Sequence, residues 1–330
     1  MKAAVYTGPK KIKIKDIPKP KIKADEILME TKAVGICGTD LHIDNGGLKL
    51  PTPLVPGHEF SGIVAELGSK VKGFRKGDRI VAEHVIPCGA CELCATGKPN
   101  LCGKAQVIGL HKPGALAEFV AIPADLVYKF PSTIDFDEAA LIEPLSIGVY
   151  ALKQAGQLLG RRVAVVGQGP IGILLDQLLK VAGAHVVGFD VLKHRLKFVK
   201  DNKWVDEVVD SSKNIKAYLD SFDRCFEVVG KEVTAQMCID LARRDGDIFL
   251  VGVFGEPTKI NLMTVVKKEL NIYGSWTCAF SFPESIDLLV DKKVDLKSLI
   301  THRYSLDEIE KAFKESSIYS EKRIKTVIEI

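Results

Sequence analysis

Four of the chain's eight cysteines, Cys88, Cys91, Cys94 and Cys102, crowd into 15 residues. Thiolates spaced Cys-x2-Cys-x2-Cys-x7-Cys can close a tetrahedral shell around one Zn²⁺, which fills every coordination position and leaves the ion no chemistry of its own. An iron–sulfur cluster is the rival reading, because Cys-x2-Cys-x2-Cys also opens the ferredoxin run, but that run continues with three residues and then Cys-Pro. Here seven residues intervene and Gly103 follows, so the loop reads as a structural zinc site that fixes a lobe. Disulfides are disfavoured. The opening residues MKAAVYTGPKKIKIK reach Lys and Pro before the apolar core of a signal peptide forms, so the expected compartment is the reducing cytoplasm.

Gly167-Gln168-Gly169-Pro170-Ile171-Gly172 spells G-x-G-x-x-G. The pattern alone is weak, but here it follows the apolar run Arg162–Val166 and opens a helical run. In that context Gly167 permits the tight turn, Gly169 admits a pyrophosphate to the backbone, and Gly172 allows close helix–strand packing. Pro170 suits a first helical turn, whose free N–H groups face phosphate oxygens. Asp190 lies 21 residues beyond Gly169, where a carboxylate accepts the ribose hydroxyls of NAD and repels the extra phosphate of NADP. A third set is dispersed: Cys37-Gly38-Thr39-Asp40-Leu41-His42, Gly57-His58-Glu59 and Glu143-Pro144-Leu145. Taken singly, each of these reads as structural.

Three stretches must position these groups. Residues 1 to 147 show short strands broken by Gly, Pro and Asp turns: Lys11–Lys15, Ile27–Val34, Gly62–Leu67 and Asp78–Ala82 predict a mostly β, barrel-like domain. In Lys11–Lys15 the isoleucines alternate toward a core and the lysines toward water. Residues 148 to 275 change rhythm. Strands near 162–166, 185–190, 207–210, 223–229, 247–253 and 269–274 alternate with helices near 171–181, 193–201 and 233–243, which predicts a doubly wound parallel sheet. Residues 276 to 330, with helices near 283–291 and 306–316 and a strand at 325–330, are too few to fold alone and are expected to rejoin the first domain. Hydrophobic residues make up 46 % and charged residues 27 %, and Lys plus Arg exceeds Asp plus Glu by four (46 against 42), too little for nucleic-acid binding. The longest apolar run, Val163–Leu175, falls short of a membrane span.

The segments GHEFSGIVAELGSKV, ICGTDLH, CGACELCATGKPNLC, EPLSIG and GQGPIG, in that family's order along almost the whole chain, resemble the zinc-dependent medium-chain dehydrogenases, most closely the sorbitol/polyol, butanediol and threonine dehydrogenase branch. The resemblance implies a GroES-like β-barrel catalytic domain interrupted by a Rossmann domain, an α/β plus mostly β architecture. It implies Cys37 and His58 as catalytic zinc ligands, with Glu59 a direct ligand and Glu143 a carboxylate that contacts the zinc-bound water or exchanges into the shell. Thr39 and His42 match the proton relay. Asp190 and Arg195 match adenosine-ribose contacts and Ile171 a neighbouring one, while Val251, Gly252, Val253, Trp276 and Thr277 match the nicotinamide pocket. The implied reaction is oxidation of a secondary alcohol, a polyol or sugar alcohol first, to a ketone with hydride transfer to NAD. L-threonine 3-dehydrogenase and simple alcohol or butanediol dehydrogenase are the alternatives. The donor set suits zinc and admits cobalt or iron. A homotetramer or homodimer is expected by analogy, and Lys49 is weighed for a sugar phosphate against the commoner solvated lysine. A scaffold that had lost catalysis would lack Cys37, His58 or the relay, and none is missing. Cys225, Cys238 and Cys278 read as small packed hydrophobes.

Overall fold

The computed structural model describes residues 1–48, 50–318 and 322–330; Lys49 lies outside them. The chain divides into two compact units, Met1–Glu143 with Phe282–Asp291 and Leu296–Ile330, and Pro144–Ser281 with Lys292–Asp295. The change of sequence rhythm falls instead at 147/148 and 275/276. A helix over Ile142–Ala155 runs through the first position without a break, and Trp276 and Thr277 stay in the second unit with the strand that precedes them.

A seven-stranded sheet carries the first unit, along the path Ile300–Ser305, Lys325–Glu329, Glu26–Gly35, Glu59–Leu67, Arg79–Ala82 and Val127–Lys129, with Phe119–Pro123 branching from Glu26–Gly35. The ten-residue strand Glu26–Gly35 is the pivot. Its first half pairs with Phe119–Pro123, and its end pairs with Lys325–Glu329 through Val327 opposite Gly35. On its other edge Gly35 faces Glu59. The beginning of the strand Glu59–Leu67 and the last strand of the chain are thus laid on either side of one glycine. Ile27, Met29, Val34, Phe60, Val64, Ile80, Val120 and Ile122 pack beneath as the core. The predicted alternation at Lys11–Lys15 appears in the hairpin of Lys2–Tyr6 with Ile12–Asp16, where Ile12 is buried and Lys13 and Lys15 are exposed.

The second unit is a six-stranded parallel sheet in the order Glu207–Asp210, His185–Asp190, Arg162–Val166, Phe222–Glu227, Ala242–Leu250, Asn271–Gly274. Counted along the unit this is 3-2-1-4-5-6, the doubly wound order expected from the sequence. Winding reverses at Arg162–Val166, so the turn leaving that strand opens onto the crevice where such sheets take ligands.

The stretch that the sequence reads as mostly β also contains helices at Gly38–Asp44, Phe136–Ala140 and Ile142–Ala155. The first two span seven and five residues, too short for a 3.6-residue period to emerge. Asp135 and Glu138 nevertheless form a capping box ahead of Phe136–Ala140, a start signal legible in the sequence.

Candidate metal centres and dinucleotide site

Cys37 ends the exit from strand Glu26–Gly35 and caps the helix Gly38–Asp44; its backbone N–H donates to Asp40 Oδ2 at 2.9 Å. Gly57 takes φ +97, a left-handed conformation that suits glycine, and delivers His58 and Glu59 to the start of the next strand. The donor atoms of Cys37, His58 and Glu59 all lie within 4.8 Å of one another. His58 turns Nδ1 toward Asp40 Oδ1 at 3.7 Å, and both atoms are buried without a hydrogen-bond partner. Burial pushes the Cys37 thiol up, and the Glu59 carboxylate adds to that. A thiol, an imidazole and a carboxylate brought together where each anion is poorly solvated fit a divalent ion of borderline softness.

Lys325 was not anticipated. Its Nζ donates to Glu59 Oε1 at 2.7 Å and to the Ile36 carbonyl at 3.0 Å, with the side chains of Lys325 and Glu59 only 4 % and 2 % exposed. Desolvation pulls the ammonium's pKa down, but the Glu59 carboxylate holds it above its ordinary value overall. Gly35 makes room for the pair: a Cβ there would fall 2.1 Å from Glu59 Oε2 and 3.1 Å from Lys325 Cε.

Glu143, in the first turn of its helix, is buried but is not among the three converging donors. Its Oε1 lies 3.0 Å from His84 Nδ1. Burial raises the Glu143 carboxyl, yet His84, and more weakly His58, bring it below its usual range. Thr39 and His42 ride on the helix that Cys37 caps, Thr39 half-buried and His42 exposed.

The four-cysteine loop closes on itself. Cys91 caps the one-turn helix Glu92–Ala95, Cys91 Sγ is 3.4 Å from Cys94 Sγ, Cys88 Sγ is 4.0 Å from Cys94 Sγ, and the Cys88 N–H donates to Cys102 Sγ at 3.4 Å. All four sulfurs lie within 4.8 Å of one another. Backbone N–H groups of Ala90 and Cys91 lower the Cys88 thiol to about 6, so it offers a thiolate near neutrality.

In the second unit Gly169 caps the helix Pro170–Val181, and Gly167 sits at φ +110. A Cβ on Gly172 would lie 1.9 Å from the Gly167 carbonyl oxygen, so helix and turn pack through it. Asp190 accepts the Gln168 N–H at 2.7 Å and the Leu192 N–H at 2.8 Å, which ties the end of its strand to the glycine turn. Arg195 Nη1 stands 3.8 Å from Asp190 and 3.6 Å from a Cβ position on Gly169, so it borders the same turn. Ile171 is half-buried in the first turn. Val251 and Gly252 donate their N–H groups to the Glu227 carbonyl, Val253 is exposed beside Gly230, and the buried Glu227 carboxylate accepts from Val229, Gly230 and Thr234. Trp276 is exposed and Thr277 adopts φ +52.

Asp40, His84, Lys325, Gly35 and Glu227 escaped the sequence reading. Only Asp40 carries a local signal, as a carboxylate three residues beyond a helix cap.

A doubly wound sheet with a glycine turn, a separate β unit with a Cys/His/Glu cluster and a four-thiol loop together define a metal-dependent, dinucleotide-binding oxidoreductase. Residues 23–132 match the alcohol dehydrogenase GroES-like domain and residues 170–291 the zinc-binding dehydrogenase domain. The chain is 31 % identical to sorbitol dehydrogenase of Bacillus subtilis across 99 % of its own length and 97 % of that protein's. It is 32 % identical to L-threonine 3-dehydrogenase of Alteromonas mediterranea across 95 % of each. A zinc-binding dehydrogenase of Sinorhizobium meliloti bound to NADP superposes with a TM-score of 0.94 at 29 % identity, covering 100 % of this chain and 99 % of that one. The chain belongs to the zinc-dependent alcohol dehydrogenase family, oxidoreductases that act on alcohol groups with zinc and NAD(P). Its fold is the GroES-like plus Rossmann arrangement that the sequence led us to expect.

Proposed function

We propose that the protein oxidises a secondary alcohol of a polyol or sugar alcohol to a ketone, with NAD as hydride acceptor. The observation that carries this reading is the convergence of Cys37, His58 and Glu59 on one buried point. These three hold the catalytic zinc, and Cys88, Cys91, Cys94 and Cys102 hold a structural one. Bound there, zinc would supply the Lewis acidity that makes a hydroxyl ionisable near neutral pH, and a dinucleotide would supply the hydride acceptor. Thr39, half-buried, accepts the substrate hydroxyl proton as it gives up its own, and the proton relayed from it reaches exposed His42, which releases it to water. Asp40 orients the His58 ring, and Glu143 supplies a second carboxylate beside the reacting oxygen.

Gly167, Gly169 and Gly172 admit the pyrophosphate, and Asp190 takes the adenosine ribose with Arg195 and Ile171 beside it. Val251, Gly252, Val253, Trp276 and Thr277 border the nicotinamide. The Asp190 carboxylate opposes a ribose 2′-phosphate, which supports NAD over NADP even though the S. meliloti relative holds NADP. In function the chain is read as a catalytic domain, residues 1–147 with 276–330, and a nucleotide domain, 148–275. Similarity to sorbitol dehydrogenase over nearly the whole chain supports a polyol; the threonine dehydrogenase relative supports L-threonine as the alternative.

Among the described residues the strand Asn271–Gly274 ends its sheet, with one edge open and Ile272 and Tyr273 exposed, and an edge of this kind supports a homodimer or homotetramer. Eight unbridged cysteines support a cytoplasmic setting; among the described residues no helix is long and apolar enough to cross a membrane. The test is a panel of sorbitol, inositols, butanediol, threonine, ethanol and sugar phosphates, each with NAD⁺ and NADP⁺. A polyol with NAD⁺ should give the highest kcat/KM, and Cys37→Ser should abolish turnover while NAD still binds. Preference for threonine or for NADP⁺, or undiminished turnover in folded Cys37→Ser protein, overturns the corresponding part.

A further inference from the structure

Besides Asp40, which accepts the Cys37 N–H, the first unit buries two more carboxylates near Cys37, and each of these has its own basic partner. Glu59, within the converging donors, is held by Lys325. Glu143, outside them, is held by His84, which lies just past the strand Arg79–Ala82. The His84 backbone is itself anchored, because its carbonyl accepts the Ile108 N–H at 2.9 Å. Its ring packs against the His58 ring with centroids 5.4 Å apart and planes tilted by 48°, so it cannot turn away without disturbing a proposed ligand. The side chains of His84 and Glu143 are both only 7 % exposed, so water does not compete for the 3.0 Å contact.

We propose that His84 is a positioning residue that latches Glu143 outside the ligand set of Cys37, His58 and Glu59. This rests on the reading of those three as a metal centre. A carboxylate this close to a buried dication is drawn toward it, because attraction between charges strengthens as water is excluded. If Glu143 joined the other three donors, it would take the position the alcohol needs. The 3.0 Å approach of His84 Nδ1 to Glu143 Oε1 opposes that movement, because electrostatic attraction between groups this buried is weakly screened. Lys325 and His84 therefore sort two chemically identical carboxylates into different roles.

The test uses cobalt-substituted holoenzyme and reads the visible d–d spectrum, which reports the ligands directly. His84→Ala should shift the bands of the Cys37 centre, while the bands of the four-cysteine loop stay put and attest folding. It should also lower kcat/KM by roughly 10- to 100-fold, the usual cost of losing an outer-shell partner. His84→Asn, whose side-chain amide nitrogen falls close to where His carries Nδ1, should restore the wild-type spectrum. His84→Ala combined with Glu143→Gln should do so as well, because the group released is then no longer an anion. An unchanged spectrum in His84→Ala, or a shifted one that persists in the double variant, overturns the latch alone. Wild-type protein that binds cobalt only in the four-cysteine loop overturns the metal centre and the latch with it.

Discussion

Lys325→Met removes the ammonium from a buried ion pair while keeping most of the side chain's volume. Nζ stands 2.7 Å from Glu59 Oε1 and 3.0 Å from the Ile36 carbonyl, and the two side chains are 4 % and 2 % exposed, so solvent cannot replace what is lost. Stranding one member of a buried pair costs about 3–5 kcal/mol, mostly because the remaining charge is left uncompensated. A dication bound by Glu59 would compensate it from the other side. The loss should therefore be full in chelator-treated protein and less than half as large in metal-saturated protein. Urea unfolding of both forms measures the difference, and stripping of the four-cysteine loop cancels because it affects wild type and variant alike. A second variant, Lys325→Met with Glu59→Leu, removes both charges and should recover most of the apo loss, since the penalty belongs to the unpaired charge rather than to the absent contact. The reasoning fails if the double variant is no more stable than Lys325→Met, or if metal leaves the loss unchanged.

Gly172→Ala should abolish NAD binding by titration calorimetry while leaving the metal content intact, because its Cβ would sit 1.9 Å from the Gly167 carbonyl oxygen and force the turn open. Asp190→Asn should raise the ratio of NADP to NAD kcat/KM roughly tenfold, equivalent to about 1.4 kcal/mol, with unchanged ratios refuting the carboxylate's role. Asp176, buried in the helix Pro170–Val181, has its carboxyl raised well above the ordinary range by desolvation, only partly offset by Gln168. A group raised in the folded state gives its full stability below the unfolded value of about 3.9 and loses it as pH climbs. Asp176→Asn should therefore stabilise the protein at pH 7 to 8 by about 1–3 kcal/mol, because an amide has no ionisation for burial to oppose, with the gain shrinking toward pH 4. An equal gain at both ends, read from melting temperatures, would contradict this.

What could be read from the sequence follows the range over which each feature is determined. The six strands of the second unit and its glycine turn are visible because a strand, a turn and a helix set their own geometry within a few residues. The cysteine loop is visible for the same reason, its ligands lying within 15 residues. Cys37, His58 and Glu143 carry no such local mark, and only their joint resemblance to a family singled them out. Lys325 shows the limit most clearly. Its partner Glu59 is 266 residues away, and nothing local separates Lys325 from Lys13, a lysine on the water-facing side of a short strand. The exposed default holds for Lys13, on a hairpin at the rim. It fails for Lys325 because Lys325–Glu329 is inserted between Ile300–Ser305 and Glu26–Gly35, which turns a strand end into an interior position. Once a lysine is known to be interior, desolvation demands an anion beside it, and Gly35 marks where that anion passes. Topology supplies the burial and burial then dictates the chemistry, so His84 and Lys325 become legible only after the sheet order is known.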